Sequence, residues 1–167
     1  SDLAMMAICG PKEEYAVATV NDIYGANAYE KGKELAESLK KQANGITAVY
    51  LLCPGIDIAN DLVLDAFDEV LGSDVVVFGG TSSDNMRGLT NHQYLGNALS
   101  EHGAWAIGFA DPTLQAITRA THGFSAYGDA LIVTKCEGHK ILEFNGKPAW
   151  QEYTSRLGVN PSPDTIC

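Results

Sequence analysis

A chain of 167 residues, 46% hydrophobic and 19% charged, has the material for one domain with a buried core and lacks the composition of a disordered segment. Its 21 acidic residues against 11 basic give a net charge of -10, which repels nucleic-acid phosphates and anionic lipid and excludes both as expected partners. No apolar run approaches the about 20 residues that span a bilayer, and no basic segment followed by an apolar one opens the chain, so a soluble, cytoplasmic setting is expected.

Residues 3–10, LAMMAICG, and 15–20, YAVATV, are apolar runs joined by the polar PKEE, a pattern that predicts a hairpin turning at Pro11. From 26 to 43 the period becomes helical, with Ala28, Gly32, Leu35, Ala36, Leu39 and Ala43 on one face and Asn44-Gly45 as the stop. TAVYLLC, 47–53, reads as a buried strand closed by Pro54-Gly55. Asp57 is placed to cap a second helix that runs to Leu71, with Ile58, Leu62, Val63, Phe67 and Val70 inward and Gly72 ending it. DVVVFGG, 74–80, is a further buried strand, and strand, helix, strand in this order predicts a right-handed crossover and a parallel pair.

Beyond Asn91 the pattern turns antiparallel. GAWAIGFA, LQAITRA and ALIVTKC are expected strands, and KILEF pairs with the last of them through Glu137-Gly138-His139. Asn145-Gly146 turns the chain into a final helix with Pro148 in its first turn and Gly158 at its end. The expected fold is α/β (mixed α+β): one domain over 1–167, a layered sandwich with a parallel crossover portion and an antiparallel strand portion. The Ser at position 1 and the apolar Ile166-Cys167 at the other end give the chain the look of a segment of a longer protein. Cys9, Cys53 and Cys136, with no C-x-x-C pair among the cysteines, are expected as buried thiols in or beside strands.

The chemistry concentrates in VVVFGGTSSDN, 75–85, where a β-branched run meets two glycines and then turns polar. Ligands collect beyond the carboxyl ends of parallel strands, and glycines admit close backbone approach. Thr81, Ser82 and the loop's free N–H groups can receive a carboxylate or phosphate. Arg87, the only basic residue between Leu51 and Thr90, suits bidentate recognition of an anion. The candidate ligand site is thus Gly79, Gly80, Thr81, Ser82, Asp84, Asn85 and Arg87, with His122 converging from a strand end; a plain turn uses the same residue types. Neither G-x-x-x-x-G-K-[ST] nor G-x-S-x-G is present. An enzyme reading remains, with Thr81 or Ser82 as nucleophile, His122 as base and Asp84 or Asp129 orienting it. The histidines show no zinc spacing, so no metal site is expected. Asp57, Asp61, Asp65 and Glu69 recur every four residues as a solvated acidic helix edge. Trp105, Trp150, Tyr127 and Tyr153 belong to core or pocket wall.

Three segments together resemble the N-terminal part of the FIST domain: VFGGTSSDN (77–85), THGF (121–124), and VTKCEGHKILEFNGKPAWQEYTSRLG (133–158). The resemblance implies a cytoplasmic sensory input domain that binds a small molecule, an amino acid or similar polar metabolite. Its output would be a histidine kinase, a cyclase or a chemotaxis receptor, and no catalysis is implied. Some family members are haem proteins that sense nitric oxide, so non-covalent haem is the alternative, with His122 as axial ligand and His92 or His102 in reserve. The family's upstream Cys-Ser segment and C-terminal companion domain have no counterpart in this sequence, and a pocket built between two halves is expected to be incomplete here.

Overall fold

A computed structural model describes residues 7–84, 87–95, 98–121, 123–126, 128–138 and 140–158. Strand β1 (Tyr15–Val20), helix α1 (Ala28–Gln42), strand β2 (Ala48–Pro54), helix α2 (Asn60–Leu71) and strand β3 (Val76–Ser82) follow in turn. A short pair, β4 (Gln93–Leu95) and β5 (Ala98–Ser100), precedes β6 (Ala104–Phe109). Strands β7 (Val133–Glu137), β8 (Lys140–Phe144) and β9 (Lys147–Pro148) and helix α3 (Ala149–Leu157) complete the elements. The chain divides into two compact units, residues 1–119 and 120–167.

In the first unit the sheet order is β1-β6-β2-β3. The β2–β3 pair is parallel, as the crossover pattern predicts, with Ala48 opposite Val76 and Pro54 opposite Ser82. Strand β6 runs antiparallel to both of its neighbours, between β1 and β2. The antiparallel strand expected to follow the crossover portion therefore lies beside β2, between it and β1, and the sheet is mixed.

Alternation decides which face is buried. Ala16, Ala18 and Val20 of β1, Ala104 and Ala106 of β6, and Val49, Leu51 and Cys53 of β2 join Leu35, Leu39, Val63 and Phe67 of the helices in one core. Small residues on the strands let the helices lie close to the sheet, and each large side chain fully buried there contributes about 1.5–3 kcal/mol. Helices α1 and α2 are also pinned at their outer edges, where Glu69 accepts from Tyr29 Oη and from Lys33 Nζ, the latter at 2.7 Å. Glu69 thus leaves the acidic edge for a contact with α1, whereas Asp61 and Asp65 remain exposed.

Several expectations are corrected. The hairpin at Pro11 does not form as expected: Ala7–Cys9 are not in a strand, and Lys12–Glu14 make a 3-10 turn ahead of β1, which pairs with β6. Residues 1–6 of that expectation lie outside the described residues. Asp57 does not cap α2, which opens at Asn60 behind Ala59. Asp57 instead adopts a left-handed φ of 54°, and its carbonyl accepts from Gly25 N at 2.9 Å, joining two loops. Leu62 is exposed, and Ala66 fills the inward position beside Phe67.

The expected strand LQAITRA is absent: 114–120 pairs with no strand, and Leu114 to Thr118 line a cleft with Phe78 and Phe109. Ile117 of this stretch is 87% exposed, so the apolar alternation marks neither a ladder nor a buried face. Cys53 is buried as expected, but Cys9 and Cys136 are exposed, because Cys9 precedes the first strand and β7 is exposed along its length.

In the second unit β7 and β8 pair antiparallel, with Glu137 opposite Lys140. His139 of the intervening turn lies outside the described residues. Asn145 and Gly146 both have positive φ and a left-handed Gly158 terminates α3, as the sequence predicts, whereas Pro148 stands at the N-cap just before the helix rather than in its first turn. Glu152 holds Arg156 at 3.1 Å and Lys147 at 3.3 Å within this unit.

Candidate functional site

The glycine pair of the opening motif lies inside β3 rather than beyond it. Gly79, Gly80, Thr81 and Ser82 stand opposite Leu51, Leu52, Cys53 and Pro54 in the parallel ladder. Gly79 has φ +145°, and a Cβ there would fall on the Leu51 carbonyl oxygen. The close approach that demands this glycine is therefore to a neighbouring strand, whereas a Cβ at Gly80 meets nothing within 4 Å.

The polar part of the motif reaches the rim at the carboxyl ends of β2 and β3, the end of the sheet where β1 also finishes and β6 begins. Ile23 N donates to His102 O at 2.9 Å, which fastens the loop after β1 to the residues that lead into β6. Ser82 is half-buried on this rim, and its Oγ lies 2.9 Å from the side-chain amide of Asn91 and 2.5 Å from that of Gln93. Both amides are buried. Oriented with its nitrogen toward the backbone, Gln93 donates to Ser100 O at 2.8 Å and Gly103 O at 3.2 Å. Three side chains from two segments, with the backbone carbonyls of Ser100 and Gly103, thus form one polar network, as buried polar atoms require.

His102 is different. Its ring lies against Tyr24 with centroids 4.4 Å apart, and its Nδ1 is buried with no hydrogen-bond partner among the described residues. A buried nitrogen left in this state is a group for which a ligand can supply the missing partner.

Asp84 is fully engaged. Its Oδ1 accepts from Arg87 N at 3.0 Å and Gly88 N at 2.9 Å, and its Oδ2 from Leu89 N at 2.7 Å and Thr90 N at 3.0 Å. These backbone donors, Thr90 and Leu89 foremost, hold the carboxyl at a pKa of about 2, below its ordinary 3.8. Arg87 is exposed and takes part in none of the ion pairs among the described residues.

Of the residues singled out in the sequence, the structure brings Ser82 to the rim with Thr81 beside it, and folds the loop carrying Arg87 around Asp84. Asn85 and His122 lie outside the described residues. Asn91 and Gln93 were missed because an isolated Asn or Gln after a turn signal has no periodic signature. Only burial distinguishes them.

The nucleophile arrangement does not assemble among the described residues. Ser82 Oγ is partnered by amides, and the Asp84 carboxylate, with four N–H donors, has no site left with which to orient an imidazole. His92 faces Glu101 at 3.4 Å. No group of three or more His, Cys, Asp or Glu side chains is gathered to hold a metal ion among the described residues.

On the sheet face away from the helices, Tyr50 meets Phe78 and Trp105 at centroid distances of 5.4 and 5.5 Å, and Phe78 stacks with Phe109 at 6.3 Å. A cavity of about 290 Å³ opens beside them, lined by Ala48, Phe78, Phe109 and residues 114–118. Among the described residues its lining presents no His, Cys, Met or Tyr that could serve as an axial ligand for a haem. Trp150 and Tyr153 form a second ring pair, 6.5 Å apart and about half exposed, within the other unit, and Tyr127 lies outside the described residues.

The model of the FIST N domain matches residues 1–147, most of the chain and every strand of the main sheet. The chain belongs to the FIST N domain family. FIST is a sensory domain family of signal transduction. Helix α3 lies beyond the matched residues. No curated protein and no solved structure gives a significant match. Among the described residues no helix is long and apolar enough to cross a membrane.

Proposed function

We propose that this FIST N domain is a cytoplasmic receptor module that binds a small polar metabolite, an amino acid or a molecule of similar size and polarity, on the carboxyl-end rim of β2 and β3. Occupancy is passed to a signalling output such as a histidine kinase, a cyclase or a chemotaxis receptor. The observation that carries the reading is the His102 Nδ1 atom, buried without a partner among the described residues on the rim that also holds the Ser82, Asn91 and Gln93 network. A small molecule with a donor or acceptor satisfies that atom and meets Thr81, Ser82 and Arg87 from the solvent side. Binding without catalysis is supported by the amide partners of Ser82 and by the self-bonded Asp84.

The test is a thermal-shift screen of amino acids and related polar metabolites. A ligand at a hundred times its Kd stabilises the folded state by about 2.7 kcal/mol, which for a chain of this length raises Tm by roughly 5–10 °C. The affinity for a hit is expected to fall about tenfold or more in His102→Phe, which keeps the ring contact with Tyr24 and removes the nitrogen. A hit whose affinity is unchanged in His102→Phe and Ser82→Ala would move the site elsewhere, and a screen with no hit would remove the small-metabolite reading.

A further inference from the structure

We propose that Asp84 is a built-in anion: its carboxylate fills the backbone amide nest presented by the residues after it, so that an incoming anionic group meets the Arg87 guanidinium instead of those amides. The inference deepens the small-metabolite reading and rests on it for its functional meaning.

The geometry carries the argument. Four N–H groups, from Arg87, Gly88, Leu89 and Thr90, converge on one carboxylate at 2.7–3.0 Å, two on each oxygen. Gly88 adopts a left-handed φ of +66°, the reversal that aims successive N–H groups into one concavity and makes backbone nests bind anions. A carboxylate offers about four lone-pair positions, and all of them are taken. The charged acceptor makes each bond stronger than a neutral one, and the short tether between Asp84 and the nest gives an effective concentration in the millimolar range or above. A free carboxylate or phosphate at metabolite concentration competes poorly against that.

The consequence is selectivity. The sequence presents this loop as a cradle whose amides would receive a ligand carboxylate or phosphate, but those amides are occupied by the chain itself. What the loop offers to solvent is the guanidinium of Arg87, held at its base by the same nest through the Arg87 backbone N–H. Carboxylate and phosphate both pair with a guanidinium through two parallel bonds, but a phosphate is denied the ring of amides on which phosphate sites depend. Asp84 is thus a positioning and specificity-determining residue that need not touch ligand.

The experiment is a titration of the ¹⁵N-labelled chain with sodium acetate, then with inorganic phosphate, following the amide resonances of Gly88, Leu89 and Thr90 in the wild type and in Asp84→Ala. The wild-type resonances are expected to stay in place through the tens-of-millimolar range. In Asp84→Ala they shift saturably, because the emptied nest accepts the added anion. Saturable shifts in the wild type, or a folded Asp84→Ala whose resonances do not respond, would overturn the proposal. If Asp84→Ala lacks a dispersed spectrum, Asp84→Asn takes its place. An amide there removes the acceptor from one pair of N–H groups, whose hydrogen exchange should quicken roughly tenfold or more, and unchanged exchange would overturn the proposal. Neither readout uses a metabolite, so a failed metabolite screen and a failed nest are separate results.

Discussion

Replacing Gly79 and Gly80 one at a time by alanine separates a ligand-loop role from a structural one. At Gly79 the backbone lies at φ +145°, a conformation that costs an L-residue of order 1–3 kcal/mol, and the new methyl would overlap the Leu51 carbonyl oxygen of the neighbouring strand. That oxygen is main chain and cannot turn aside, so relief requires β3 to move off β2 at the Leu51 pair. The summed cost is expected to be about 3 kcal/mol or more, in the range reserved for backbone strain and overpacking. At Gly80 the space is open, φ is ordinary and the residue is exposed, so Gly80→Ala should stay within about 0.5 kcal/mol. Urea unfolding followed by tryptophan fluorescence reads the difference, because Trp105 lies on β6 beside β2. With a slope of about 2 kcal/mol per molar, Gly79→Ala should lower the midpoint by roughly 1.5 M, while Gly80→Ala leaves it in place. Equal midpoints for the two variants, or a Gly79→Ala midpoint at the wild-type value, would refute the assignment of Gly79 to strand approach.

Two further outcomes follow from burial and charge. Burial pushes the Cys53 thiol up to about 12, so native protein treated with iodoacetamide near pH 8 should be alkylated at the exposed Cys9 and Cys136 and spared at Cys53, as read by peptide mass spectrometry. Labelling of Cys53 at the rate of the other two would contradict its place in the core. Asp84 is held at about 2 against an ordinary 3.8 by backbone N–H donors. A depressed folded-state pKa gives stability that is complete above the unfolded value and is lost as pH falls through the folded one. The Tm difference between wild type and Asp84→Asn should therefore be constant above about pH 5 and shrink progressively between pH 4 and pH 2. A difference that persists unchanged at pH 2 would show that the carboxylate charge is not what holds the loop.

Much of the fold is legible in the chain itself. Helix α1 shows its buried face as a 3.6-residue spacing of Ala28, Gly32, Leu35, Ala36 and Leu39, and the β2–α2–β3 crossover follows from strand, helix, strand order. These are local signals, written by the periodicity of one element at a time. The insertion of β6 between β1 and β2 is not local: an alternating strand pairs equally well in several positions, and the choice belongs to the partners available. Residues 114–120 carry the same alternation and make no ladder, and Ile117 is left almost wholly exposed.

The site divides in the same way. From the sequence, Thr81, Ser82, Asp84 and Arg87 could be picked out as a polar cluster at a strand end, because composition changes abruptly there. What each one does depends on atoms far along the chain. Gly79 is a glycine because Leu51 is its neighbour, Ser82 is partnered by Asn91 and Gln93, and Asp84 is consumed by the four amides that follow it. Residue type sets which bonds a side chain can make, and so the sequence by itself determined the helices, the parallel crossover and the chemical character of the rim. Which of those bonds are already made inside the molecule is a matter of distance in three dimensions, and only the tertiary structure decided that.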